Sequence, residues 1–157
     1  MKVKFIFICT AVAVLFIGQS QSNLASDGAQ ELTLWISPLS IYFPPADPDT
    51  DPVIPSDSLV LVEITAPAGT NWRLTVTANG DLRAGQGAQI PIENISWTAS
   101  PSPPFINGVL SRHTPVQFAE GQGPTSLTGE MNFQFQNNWN YLTGLYTQTV
   151  TITLTSF

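Results

Sequence analysis

Asp47, Asp49 and Asp51 alternate in the run DPDTDP, and carboxylates at every second residue are how a calcium-binding loop of the EF-hand type begins. Such a loop continues with glycine at its sixth position and a bidentate glutamate further on. Here Pro52 is sixth from Asp47 and Glu63 is seventeenth, so the run reads as a solvated acidic connection and no metal ligand is assigned. His113 is the single histidine, set between Arg112 and Thr114-Pro115. A triad built on it needs a serine on a glycine-flanked elbow, and no serine is so flanked; an exposed loop is the expected place for it. Glu93, Glu120 and Glu130 supply carboxylates for a glycoside-hydrolysing pair, but nothing in their flanks couples them. No catalytic residue and no cofactor follow from these groups.

Aromatic side chains carry the remaining chemistry. Trp35, Trp72, Trp97, Trp139 and Tyr141 have flat apolar faces with polar edges, which suit stacking on sugar rings. Trp72 shares a face with Leu74 and Val76 and is expected in the core. Trp139 and Tyr141 lie in the polar turn Asn137-Asn138-Trp139-Asn140-Tyr141, where an exposed ring serves recognition, so these two are the candidate ligand-stacking residues.

The elements that position these residues are strands. In residues 146–157, Tyr146, Val150, Ile152 and Leu154 fall on one face and Thr147, Thr149, Thr151, Thr153 and Thr155 on the other, the alternation of a half-buried antiparallel strand. Trp72, Leu74, Val76 and Ala78 alternate with Arg73, Thr75, Thr77 and Asn79, and Met131, Phe133 and Phe135 with Asn132, Gln134 and Gln136. Strands are predicted near residues 32–43, 59–66, 72–78, 90–98, 109–111, 116–119, 127–136 and 146–155, with no sustained helical period between Asp27 and Phe157. The fold class expected is all-β: a single antiparallel, Ig-like β-sandwich of about seven or eight strands. An eight-stranded outer-membrane barrel is disfavoured by parity, since Phe157 falls in line with Thr155 and Thr153, not with Leu154.

The first strand changes phase at Ser37-Pro38: Leu32, Leu34 and Ile36 share one parity, Leu39, Ile41 and Phe43 the other. Proline cannot donate to a ladder, so Pro38 marks a bulge, an edge or a crossing between sheets. Residues 44–58 are expected to form an exposed, extended Pro/Asp-rich connection between an N-terminal strand segment, residues 27–43, and a sandwich body, residues 59–157. Held apart in this way, Leu32, Leu34 and Ile36 form a candidate assembly strand that can add to the open sheet edge of a neighbour.

Lys2 and Lys4 precede an uncharged apolar run over residues 5–17, followed by small polar residues, which is the pattern of a secretory signal peptide over residues 1–22 with cleavage between residues 20 and 26. The run is shorter than the roughly 20 residues that span a bilayer as a helix, so no transmembrane span is expected in the mature chain. Cys9 leaves with the leader, so an exported domain without disulfides must be held by its core. All eleven acidic residues follow the leader, against Arg73, Arg83 and Arg112 and no lysine, which disfavours nucleic acid as a partner. It also excludes lysine-dependent isopeptide links, so assembly must be non-covalent.

Trp72-Arg73-Leu74 followed by Thr75-Val76, with the later run Tyr146-Thr147-Gln148-Thr149-Val150-Thr151-Ile152-Thr153-Leu154, resembles the two signature segments of the W-x-L domains of bacterial cell surfaces. The final run is also similar in pattern to the closing strands of fimbrial and spore-coat-type β-sandwich subunits, in which an N-terminal strand of one subunit completes the next. These resemblances imply a secreted, cell-envelope protein that is structural or adhesive and non-enzymatic, whose partners are other copies of itself or other surface proteins. A carbohydrate or cell-wall (peptidoglycan) binding module, with cell-wall polysaccharide as partner, is the alternative expectation, and a secreted hydrolase the third.

Overall fold

The computed structural model describes residues 4–5, 31–85 and 87–157. The expected signal peptide and its cleavage region, and residues 27–30, lie outside the described residues except for Lys4 and Phe5. In chain order the strands are β1 (Lys4–Phe5), β2 (Thr33–Ser37), β3 (Val53–Pro55), β4 (Val60–Ala66), β5 (Asn71–Ala78), β6 (Leu82–Ala84) and β7 (Gln89–Ile90). After a 3-10 turn at Ile92–Asn94 come β8 (Ile95–Ser100), β9 (Gly108–Val109), β10 (Val116–Gln122), β11 (Thr125–Gln136), β12 (Leu145–Thr147) and β13 (Val150–Ser156).

Two antiparallel sheets carry the fold. The larger runs β2-β4-β11-β8-β9, and β3 pairs with β11 beyond the end of β4. Its longest strand, β11, buries Gly129, Met131, Phe133 and Phe135 and turns Glu130, Asn132 and Gln134 outward, the period of two that a sheet with one wet face requires. The second sheet runs β10-β5-β13 and buries Trp72, Leu74 and Val76 beside Ile152 and Leu154. The inner faces share one hydrophobic core, with Trp97 of β8 meeting Phe118 of β10 edge-on at 6.4 Å. Each large apolar side chain fully buried in it contributes about 1.5–3 kcal/mol. The fold is therefore an all-β sandwich.

Glycine makes room for aromatic rings within the strands. A methyl group on Gly129 of β11 would lie 2.5 Å from the Phe105 ring, and one on Gly121 of β10 would lie 2.7 Å from Trp72. At both places the backbone is the floor on which a ring rests.

A smaller sheet, β1-β12-β6-β7, has β12 antiparallel to β6 and parallel to β1. The single strand expected over residues 146–155 is thus two. Gln148 breaks it: its Nε2 donates to the Asp81 carbonyl at 2.6 Å and its Oε1 accepts from the Thr149 amide at 2.7 Å, so the chain leaves one sheet and enters another. The inward parity of Tyr146, Val150, Ile152 and Leu154 survives the crossing.

Three other expectations change. Residues 44–58 are largely exposed but do not hold the first strand away from the body: Ile54 of β3 is only 2% exposed, opposite Phe135 of β11, because β11 outruns β4 and leaves a ladder position that a three-residue strand ending in proline can fill. The strand expected over residues 32–43 ends at Ser37, yet both of its parities are used, with Ile36 before Pro38 and Ile41 and Phe43 after it all in the core. Residues 90–98 are divided by the 3-10 turn into β7 and β8. Among the described residues no helix is long and apolar enough to cross a membrane.

Candidate functional site

The turn that follows β11 is built on Asn137. Its amide donates to the Pro52 carbonyl at 2.9 Å, and its side-chain Nδ2 reaches the carbonyls of Ala46 at 3.4 Å and Asp51 at 3.3 Å. Asn137 is 8% exposed, so this polar side chain is spent on tying the turn to the acidic loop. Its Oδ1 has no hydrogen-bond partner among the described residues.

Two residues on, Trp139 is 54% exposed and its Nε1 donates to Asp49 Oδ1 at 2.8 Å. A charge-assisted bond of this kind holds the indole to the loop while leaving much of its surface in solvent. The acidic loop is itself wound by local bonds. Asp47 Oδ1 accepts the Asp49 amide at 3.0 Å, the Asp47 carbonyl accepts the Asp51 amide at 2.7 Å, and Asp51 Oδ2 accepts the Thr50 hydroxyl at 2.9 Å. The alternating carboxylates are turn-forming groups, and one of them orients Trp139. Among the described residues no set of three or more histidine, cysteine or acidic side chains is grouped to hold a metal ion.

Tyr141 faces elsewhere. Its ring lies 6.0 Å from Phe135 at 48°, packed against the core, and burial pushes its phenol pKa up while a hydrogen bond with Asn94 pulls it down. The structure therefore brings Trp139 and Asp49 together and takes Tyr141 away from a shared stacking platform. The Asp49 contact has no signal in the sequence, because the two residues are ninety apart in the chain.

The other chemistry-bearing residues are dispersed. Trp72 and Trp97 are buried, and Trp35 is exposed on β2. Glu120 pairs with Arg73 at 3.0 Å on the outside of the smaller of the two main sheets, whereas Glu130 faces outward from the larger one, so these carboxylates do not converge. His113 is exposed and accepts from Arg112 Nε at 3.0 Å, and Arg112 is also ion-paired with Asp81. Leu34 and Ile36 of β2 pair in their own domain, opposite Ile64 and Val62 of β4, and Leu32 packs against the same core. The segment expected to be held away from the body is folded onto it.

No family model and no curated protein matches this chain.

Proposed function

We propose that this chain is an exported, non-enzymatic structural or adhesive protein of the cell surface or extracellular space that assembles by strand addition. The observation that carries the reading is the pairing of Lys4–Phe5 with Leu145–Tyr146, in parallel, on the flank of β12 that faces away from β6. Lys4 and Phe5 belong to the leader read from the sequence, and its removal vacates a flank able to pair with an extended segment. Unpaired sheet edges are satisfied by a strand from another chain. Because β2 is paired in its own sheet, the assembly surface is β12 and not the segment of Leu32, Leu34 and Ile36. Intact-mass measurement of secreted protein is expected to place the first residue between Gln21 and Asp27, and size-exclusion chromatography with electron microscopy of material released from the cell surface to find it in assemblies. Retention of Met1, or recovery from the cell surface only as a free monomer, would reject the reading.

The pinned, half-exposed Trp139 supports a second reading, a carbohydrate or cell-wall binding face. Trp139→Ala is expected to abolish retention on insoluble polysaccharide or peptidoglycan with a thermal midpoint shifted by no more than a few degrees. Unchanged retention would remove sugar binding from this surface.

A further inference from the structure

Resting on the strand-addition reading, we infer that this chain receives a strand along β12 from a different protein, does not offer one of its own, and reads a carboxylate in the incoming strand with Arg83. The receiving geometry is present: Lys4 lies opposite Leu145 and Phe5 opposite Tyr146, so an extended segment fits this flank in the parallel sense. A strand continuing in the same direction runs past Thr147, Gln148 and Thr149. These three residues, with Arg83, line a cavity of about 270 Å³ where the chain crosses between sheets.

Register then places the charge. Thr147 lies opposite Arg83 in the β12–β6 pair, so their side chains share one face of the sheet, and both are exposed. A residue of the incoming strand opposite Thr147 presents its side chain on that face too, two strand spacings from Arg83, or about 10 Å between backbones. A glutamate and an arginine reaching toward each other close such a gap across a threonine. Arg73 and Arg112 are ion-paired with Glu120 and Asp81, whereas Arg83 has no ion pair among the described residues.

The chain's own segments do not fit this flank as donors. Its apolar strand β2 is paired with β4. Between the expected cut and β2 the sequence reads SNLASDGAQEL, in which Leu24, Ala25, Ala29 and Leu32 do not alternate and Asp27-Gly28 interrupts the run. Such a segment has no apolar face to lay beside Tyr146, so the partner is another protein, with an alternating apolar strand and an acidic residue opposite Thr147.

Three synthetic peptides test this against the exported protein, with binding read by fluorescence anisotropy and stability by the thermal midpoint. One carries residues 2–8 with Ile6→Glu, a position that falls opposite Thr147 if a bound peptide carries the Lys4–Leu145 and Phe5–Tyr146 register one residue further; the second carries the same residues with Ile6→Lys; the third carries residues 22–32. The glutamate peptide is expected to bind, to raise the midpoint, and to bind about fivefold more tightly than the lysine peptide, a difference set by one exposed ion pair. Arg83→Glu should reverse that order while leaving the midpoint of the unliganded protein in place, and the residue 22–32 peptide should not bind. Failure of both leader-derived peptides to bind would overturn strand addition itself. Equal binding by residues 22–32 would overturn the one-way polarity, and an order insensitive to Arg83→Glu would overturn the reading of charge.

Discussion

Trp72 and Trp97 are both buried in one core, but their indole nitrogens are in different states. Trp97 Nε1 donates to the Ile106 carbonyl at 3.0 Å, while Trp72 Nε1 is buried with no hydrogen-bond partner among the described residues. An unsatisfied buried donor carries its full desolvation cost in the folded state, and a bonded one does not. Replacement by phenylalanine leaves a similar void at either site but relieves the orphan only at Trp72. Trp97→Phe is therefore expected to destabilise the protein by about 1–2 kcal/mol more than Trp72→Phe in urea unfolding. Equal losses would mean that the Trp72 indole finds a partner in solution. At the same scale, Asp49 shows how little of a site is legible in a one-dimensional pattern. Its alternation with Asp47 and Asp51 suggests a cation, and its spacing says nothing of Trp139, because that contact depends on Asn137 drawing the loop onto the turn.

Elements with a long, strict alternation are the ones the sequence makes plain. β5, β11 and β13 have their inward residues where period two places them, since burial of a whole face fixes register strongly. β6 escapes detection, and β7 is touched only at Ile90 as the start of a longer predicted strand, because strands of three and two residues have no measurable period, and their burial of Leu82 and Ile90 comes from the sheet they join. β3 escapes for another reason. Its proline and aspartate neighbours have the composition of a solvated linker, yet Ile54 between them fills a ladder position that β11 leaves open. Composition describes the average residue, and one isoleucine is enough to anchor a segment. Ile54→Ala is accordingly expected to cost about 2–5 kcal/mol, the range for a fully buried aliphatic side chain, where a linker position would lose almost nothing. The same packing means that deleting residues 27–43 removes Ile36, Ile41 and Phe43 from the core and should yield an unfolded product, not a soluble body awaiting a strand.

For the molecule as a whole, the crossing at Gln148 joins the sheet proposed to receive a partner to a sheet that walls the core. β12 and β13 are one stretch of chain, and β13 is paired to β5 through seven consecutive antiparallel positions from Val150 to Ser156. The consequence is mechanical. Tension on a partner held along β12 passes through residues 148–149 into β13 along the strand axis, so it loads the seven pairs together in shear instead of unzipping them one at a time. Ile152 and Leu154, locked into the core beneath those pairs, add friction to the same path. Stretched by a handle at β12, the protein is expected to rupture at a higher force than when pulled perpendicular to β13 from its outer edge. Single-molecule pulling in the two directions would measure this, and equal rupture forces would show that the load does not travel through the crossing.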